Sequence, residues 1–299
     1  MKAEAAKHLE KTVTHLPRDG QKSESPQGAS SRPARSRQGR SVKDFFSSTA
    51  SRYFDERYRG SARRVETYSY FERKNYILNM LDDNGGRVLD VGCGPGILTA
   101  DLLRKAYEVW GIDLSPNMVQ EGRRTLEGNP LGTNAHFAVG NIERLAFPDG
   151  HFDAVICSGI LSYLEDPAIG LGEVYRVLKP GGIAIITVPT KRRGYRLVKD
   201  LALRFFRPMF RNTGTMLGKK VIRLSFTHRR YRPWELDRLV RGMGFHKVSS
   251  AHFHFILFPF DVLFPRISFS LTASLHHKLA HSESLGWLGK GYVLKVRKP

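Results

Sequence analysis

The sequence is poor in cysteine and in long apolar runs. Its 299 residues include only Cys93 and Cys157, so it has no disulfide framework, and a reducing, cytoplasmic location is expected. Residues 1–40 contain no apolar core of the kind that a secretory signal needs. The apolar stretch 252–275 is interrupted by prolines and charged residues, which argues against a transmembrane helix.

Acidic residues are also scarce, and the formal net charge is +20. A basic field of this size attracts nucleic acids, anionic membranes or acidic substrates. Between Lys191 and Arg232, lysine and arginine are frequent and Asp200 is the only acid. Within this stretch, residues 195–207 have the composition of a helix that lies on an anionic bilayer. A basic helix that covers a ligand cleft without touching lipid is an equal alternative.

Composition also indicates the domain organisation. Residues 1–42 are rich in Ser, Arg, Pro, Gly and Gln without an apolar period, which predicts a disordered basic tail. Residues 43–299 begin with a helical, aromatic segment and continue with alternating strands and helices. This alternation predicts an α/β domain with a doubly wound parallel sheet. It breaks after Pro189, and the segments 190–230 and 252–285 are predicted insertions.

A glycine-rich loop, residues 90–96, follows the first predicted strand of this sheet. Glycines allow a backbone to turn tightly and to approach a ligand, and ligands bind beyond the carboxyl ends of such strands. The dinucleotide-binding pattern would need glycine at position 97, where Ile97 stands. Asp90 suits a cationic amino-acid group better than a phosphate. Asp113 ends the second strand, where an acid accepts hydrogen bonds from ribose hydroxyls.

Three segments of the sequence resemble the motifs of class I S-adenosylmethionine-dependent methyltransferases. They are VLDVGCGPG at 88–96, GIDLSPNM at 111–118 and LKPGG at 178–182. More narrowly, they resemble the small-molecule branch that includes the ubiquinone and menaquinone methyltransferases. The resemblance covers about residues 70–190. It implies a Rossmann-like, seven-stranded and mostly parallel sheet whose last strand is antiparallel, with S-adenosylmethionine as the cofactor and no metal.

The same resemblance assigns residues to parts of the cofactor. They are Asp90, Gly92, Cys93 and Gly94 around the methionine part, Asp113 at the ribose, Leu114, Met118, Asn141 and Ile142 around the adenine, and Ser158 beneath the sulfonium. One position departs from the family. The adenine amine is usually held by the acid of a Gly-Asp pair, and this sequence has Gly140-Asn141. The side-chain oxygen of Asn141 can still accept a hydrogen bond, but it carries no charge.

Methyl transfer from a sulfonium is an in-line displacement, so the protein mainly aligns the reactants and excludes water. A hydroxyl acceptor also benefits from a general base. Candidate bases near the open end of the sheet are Tyr163, His228 and His254. The two insertions are expected to form a lid over the acceptor. For the apolar stretch 252–275, packing over the sheet is an equal alternative.

The leading hypothesis is O- or C-methylation of a lipophilic or amphiphilic small molecule, with peripheral contact to an anionic membrane. The charge suggests an RNA or DNA methyltransferase as an alternative. Enzymes that methylate a flipped base usually carry an Asn/Asp-Pro-Pro-aromatic motif where this chain has the residues 157–160, CSGI, so nucleic acid is disfavoured. A further alternative is a non-catalytic cofactor-binding scaffold, which would have no need of both Asp90 and Asp113. A nicotinamide dehydrogenase is disfavoured by Ile97.

Overall fold

The computed structural model describes residues 37–54, 65–82, 85–191, 228–255, 280 and 289–299. Most of the predicted tail and of the two predicted insertions lies outside these ranges. The bilayer helix at 195–207 and the acceptor lid therefore stay predictions. In the described part of the chain, no helix has both the length and the apolar character needed to cross a membrane.

Helix α1 spans Arg37–Phe54, so the predicted boundary of the disordered tail at residue 42 is wrong. The side chain of Val42 is 7% exposed, and Gln38 Nε2 donates a hydrogen bond to the Tyr163 carbonyl oxygen at 2.7 Å. The segment 37–42 is mostly polar and has no apolar period, so the sequence alone does not predict its helix. Contacts with distant residues stabilise this helix. Helix α2 (Val65–Met80) follows, as the helical pattern predicted.

Within the described residues, seven strands form one sheet. They are β1 (Gly86–Val91), β2 (Tyr107–Asp113), β3 (Ala135–Val139), β4 (Phe152–Ser158), β5 (Leu178–Pro189), β6 (His246–Phe255) and β7 (Gly289–Arg297). Their order is β3-β2-β1-β4-β5-β7-β6. Strand β7 is antiparallel to both of its neighbours, whereas the pairs from β3 to β5 are parallel. The predicted seven-stranded, mostly parallel sheet with an antiparallel last strand is confirmed.

In the described part of the chain, four further helices connect the strands. They are α3 (Ile97–Arg104), α4 (Pro116–Thr125), α5 (Pro167–Val177) and α6 (Pro233–Gly242). The side chain of Ser115 accepts a hydrogen bond from the Met118 N–H, and Asp166 accepts one from the Ala168 N–H. Both caps precede a proline in the first turn, where its fixed φ fits the helix and its missing N–H has no cost.

The inner strands of the sheet are mostly buried, as parallel strands covered on both faces generally are, whereas the edge strands β3 and β6 are more exposed. Leu89 and Val91 pack with α5 and α6 on one face, whereas Val88 packs with α2 and α3 on the other. The strand order reverses between β1 and β4, so the connections that follow their carboxyl ends run in opposite directions. Open α/β sheets bind their ligands in the crevice at such a reversal point.

Candidate active site

A cavity of about 800 Å³ lies at this reversal point. Every residue predicted to hold the cofactor contributes to its walls, and so do the three candidate bases Tyr163, His228 and His254. Helix α1 closes one side of it through residues such as Val42 and Phe46. The structure thus brings together segments that are distant in the sequence.

The glycine loop is attached to the neighbouring strand by its backbone. The N–H groups of Gly92 and Cys93 both donate to the Ile112 carbonyl oxygen, at 2.7 and 3.0 Å. Gly94 and Gly96 have φ angles of 53° and 72°, in the left-handed region that favours glycine. A Cβ added to Gly94 would have no neighbour within 4 Å, so this residue faces open cavity space.

Gly94→Ala and Gly96→Ala are expected to separate cofactor binding from stability. At Gly96 an added Cβ would lie 3.1 Å from the Gly122 Cα of helix α4, so packing and φ strain should together lower the free energy of unfolding by about 2–3 kcal/mol. At Gly94 only the φ strain applies, about 1 kcal/mol, but the new methyl group occupies ligand space and should weaken S-adenosylmethionine binding by at least roughly tenfold. Urea unfolding and calorimetric titration measure the two effects. Equal cofactor affinity for Gly94→Ala and the unmodified protein would contradict this geometry.

Asp113 links the glycine loop to helix α4. Its Oδ2 accepts a hydrogen bond from the Gly94 N–H at 3.1 Å, and its Oδ1 accepts one from the Ser115 N–H at 2.9 Å. Burial raises the pKa of this carboxyl group, and the N–H donors partly offset the rise. An ionised carboxylate offers about four acceptor positions, so acceptor capacity remains for the hydroxyl groups of a ribose.

Asp90 is the most deeply buried acid of the cavity wall, with an exposed fraction of 1%. Burial raises its pKa to about 7, the charge of Asp113 adds to the rise, and Arg73 opposes it. Among the described residues, its Oδ2 has no hydrogen-bond partner. A buried carboxylate without a hydrogen-bond partner is stabilised by a cationic ligand, because the ligand supplies a positive charge and hydrogen-bond donors.

The sequence prediction missed Glu143, which lies in the cavity wall beside Asn141. The Asn141 Oδ1 accepts a hydrogen bond from the Glu143 N–H at 3.1 Å, and its Nδ2 donates to the Glu143 Oε2 at 3.2 Å. The pair Gly140-Asn141 lacks the acid of the family pattern, and Glu143, two residues after Asn141, places a carboxylate beside it. An acid close behind Asn141 was the signal that could have identified it.

Arg73 is a second cavity residue that the sequence did not reveal. It comes from α2, and its guanidinium lies 3.2 Å from the position that a Cβ on Gly159 would take, at the end of β4. Its charge also acts on Asp90. Helix α2 has no motif, so only the folded structure shows that its arginine faces the glycine loop.

The three candidate bases lie in two parts of the cavity: Tyr163 and His228 lie together, and His254 lies near the end of β6. The Tyr163 ring lies 5.1 Å from the His228 ring and 5.5 Å from the Phe46 ring. Desolvation lowers the pKa of His228, and the charge of Arg230 lowers it further, so its imidazole is neutral at pH 7. His254 lies at the end of β6 with a φ of 59°, and its N–H donates to the Glu72 Oε2 at 2.9 Å. In the ranges that the structure describes, no group of His, Cys, Asp and Glu has the arrangement of a metal site.

Comparison with known proteins agrees with this site. A family model described as a methyltransferase domain matches residues 89–186. A ubiquinone biosynthesis O-methyltransferase of Xanthomonas oryzae pv. oryzae is 40% identical over 111 residues, which cover 37% of this chain and 46% of the relative. A demethylmenaquinone methyltransferase of Geobacillus kaustophilus is 31% identical over 192 residues, which cover 61% of this chain and 80% of the relative.

Solved structures show the same fold. A magnesium protoporphyrin IX methyltransferase from Synechocystis PCC 6803, with bound S-adenosylmethionine, has a TM-score of 0.58 and 15% identity, and the match covers 90% of this chain and 100% of that one. An S-adenosylmethionine-dependent methyltransferase from Methanosarcina mazei has a TM-score of 0.50 and 22% identity, covering 75% and 96%.

The chain therefore belongs to the class I S-adenosylmethionine-dependent methyltransferases, a family whose cofactor is S-adenosylmethionine. Within this family it is related to the O- and C-methyltransferases of quinone biosynthesis. It spans about half the length of the ubiquinone O-methyltransferases that it matches.

Proposed function

We propose that this protein transfers the methyl group of S-adenosylmethionine to an oxygen or carbon atom of a lipophilic or amphiphilic small molecule. The observation that carries the proposal is one cavity with two kinds of lining side chain. They are the carboxylates of Asp90 and Asp113 and apolar side chains such as Ile77, Ile160 and Phe253. The carboxylates suit a cationic nucleoside, and the apolar side chains suit an apolar acceptor.

S-adenosylmethionine supplies a methyl group that its sulfonium already activates. The residues of the chain then have three tasks in this proposal. Asp90 holds the ammonium group and Asp113 holds the ribose, which fixes the direction of the displacement. The apolar side chains of the cavity exclude water from the reacting atoms, and Ser158 lies beneath the sulfonium.

An acceptor hydroxyl must lose a proton as it gains the methyl group. His228 is suited to take that proton because its lowered pKa keeps it unprotonated at neutral pH. Tyr163, whose ring adjoins His228, is suited to orient the acceptor. His254 remains a candidate base for an acceptor that enters along α2.

The relatives also favour a small molecule as the acceptor, since their names refer to ubiquinone and menaquinone biosynthesis. Neither an RNA or DNA methyltransferase nor a non-catalytic scaffold gains support from them. A cytoplasmic location with contact to the membrane belongs to the same proposal, because a lipophilic acceptor resides in the bilayer.

Incubation with S-adenosylmethionine labelled in its methyl group tests this function. The purified protein receives a cell lipid extract in one reaction and an RNA extract in another. We expect label in the lipid fraction, and much less label when Asp113 is replaced by Asn, because this change weakens cofactor binding. Glu108→Gln is the matched control, because Glu108 lies on the same strand with a side chain 44% exposed and outside the cavity. Label in the RNA alone would contradict the proposal, and so would no transfer by a protein that binds the cofactor.

A further inference from the structure

The exposed side of helix α6 combines an aromatic residue with two arginines. Trp234, Arg238 and Arg241 are spaced four and three residues apart, so they share one side of the helix, which we call the Trp234 face. All three are exposed, and the Trp234 side chain is 52% exposed. Leu236 and Val240, on the other side of the helix, are fully buried in the core. The Trp234 face is therefore available to a partner without any change of the fold.

Neither carboxylate of helix α6 forms an ion pair with the arginines of the Trp234 face. The two acids of α6 pair elsewhere: Glu235 binds Lys191 at 2.9 Å, and Asp237 binds Lys247 at 2.7 Å. In the part of the chain that the structure describes, no carboxylate forms an ion pair with Arg238 or Arg241. Their guanidinium donors are thus available to an anion.

The tryptophan ring is covered by cations. The Arg238 guanidinium lies 5.5 Å from the centre of the Trp234 ring, and that of Arg232 lies 5.8 Å away. Trp234, Arg238 and Arg241 together line a hollow of about 330 Å³. These cation–π contacts fix the guanidinium groups beside the ring and leave their outer N–H groups free to bind oxygen atoms.

The Trp234 face begins at the rim of the active-site cavity. The Tyr231 N–H donates to the Pro189 carbonyl oxygen at 2.9 Å, and the Lys191 N–H donates to the Tyr231 carbonyl oxygen at 2.8 Å. These bonds attach the start of α6 to the carboxyl end of β5. Pro189 and Arg230 both line the cavity. A surface bound to the Trp234 face would therefore lie beside the cavity.

We propose that the Trp234 face docks onto an anionic lipid surface, with the guanidinium groups on headgroup phosphates and the indole at the boundary with the acyl chains. Tryptophan favours this boundary, and basic residues beside it are attracted by anionic lipids. Single-stranded nucleic acid fits less well, because a base that stacked on Trp234 would have to displace a guanidinium. The inference rests on the membrane contact of the proposed function and names the surface that makes it; methyl transfer is tested separately, since docking needs neither cofactor nor acceptor.

Vesicle co-sedimentation tests the docking. The full chain is mixed with vesicles of phosphatidylcholine, with or without phosphatidylglycerol, at low and at high salt. We expect binding that requires phosphatidylglycerol, and binding roughly 30-fold weaker for Arg238→Gln/Arg241→Gln. Trp234→Ala should weaken the part of the binding that survives high salt, because that part comes from the indole.

The matched control removes the same charge at the opposite edge of the sheet. Arg104→Gln/Arg124→Gln changes two exposed arginines in the last turns of α3 and α4 and should bind vesicles as the unmodified protein does. Equal losses in the two double variants would overturn the inference, as would unchanged binding by Arg238→Gln/Arg241→Gln. It would also be overturned if that variant lost affinity for RNA while the protein bound no vesicles.

Cofactor affinity, measured by calorimetry, separates this inference from the proposed function. We expect Arg238→Gln/Arg241→Gln to bind S-adenosylmethionine normally, because neither arginine lines the cavity. A protein that binds the cofactor and transfers methyl groups but never binds vesicles refutes the docking and leaves the function intact. A protein that docks through the Trp234 face but transfers nothing supports the docking and refutes the function.

Discussion

Replacing Asp113 with Asn is expected to weaken S-adenosylmethionine binding by about 100-fold. The carboxylate has one role in the protein and another towards the ligand. It already accepts hydrogen bonds from the N–H groups of Gly94 and Ser115, and its remaining acceptor capacity is available to a ribose. An amide has only one oxygen, so its NH₂ group would face one of these N–H donors, and the hydrogen bonds assisted by charge would be lost.

Isothermal titration calorimetry measures this effect, and Glu108→Gln on the same strand serves as the control. Ala at position 113 would be a less informative change, because it would leave the N–H groups of Gly94 and Ser115 without their acceptor. Far-ultraviolet circular dichroism and urea unfolding should show that Asp113→Asn keeps the sheet intact. An affinity within threefold of the control's would mean that Asp113 holds the loop and not the ribose.

The sheet and the glycine loop could be predicted from sequence because their determinants are local. Apolar runs bounded by Gly86 and Gly92 specify strand β1 and its turn, and proline after a capping residue specifies the starts of α4 and α5. Local composition is misleading at residues 180–182. Pro-Gly-Gly is typical of a turn, but these residues lie within β5, where the register with β4 shifts and the chain continues as a strand.

The remaining features depend on contacts between distant segments. Residues 37–42 look like a continuation of the polar tail, and their helix is explained by distant contacts such as the hydrogen bond from Gln38 to the Tyr163 carbonyl oxygen. Arg73 carries no sequence signal because α2 has no motif of its own. Glu143 lies two positions away from the place where the family pattern has its acid. Single motifs therefore identify Asp90 and Asp113, whereas Glu143 and the cavity residues that α1 and α2 contribute are identified by the folded structure.

Replacing Asp90 with Asn is expected to stabilise the cofactor-free protein and at the same time to prevent tight cofactor binding. The pKa of Asp90 is raised from 3.8 to about 7, so the folded protein keeps a proton that the unfolded chain releases above pH 4. The free energy of unfolding therefore falls as the pH rises from about 4 to about 7, by up to about 4 kcal/mol from this group. Asn has no charge to bury and avoids this loss.

Urea unfolding of both proteins at pH 5 and pH 8 measures the difference. The stabilisation of Asp90→Asn over the unmodified protein should be larger at pH 8, because the loss is complete only once Asp90 is ionised. Other titrating groups are common to both proteins and cancel in the comparison. The same stabilisation at both pH values would contradict a raised pKa of Asp90.

The same carboxyl group should make cofactor binding depend on pH. The ammonium group of S-adenosylmethionine needs an ionised partner, so below pH 7 the affinity should fall by up to tenfold for each pH unit, because a proton must first leave Asp90. 5′-Methylthioadenosine lacks the amino-acid part, and its affinity should hardly change between pH 5 and pH 7. Asp90→Asn should bind S-adenosylmethionine weakly and without this dependence. If both ligands showed the same pH dependence, Asp90 would not be the partner of the ammonium group, because only one of the ligands carries it.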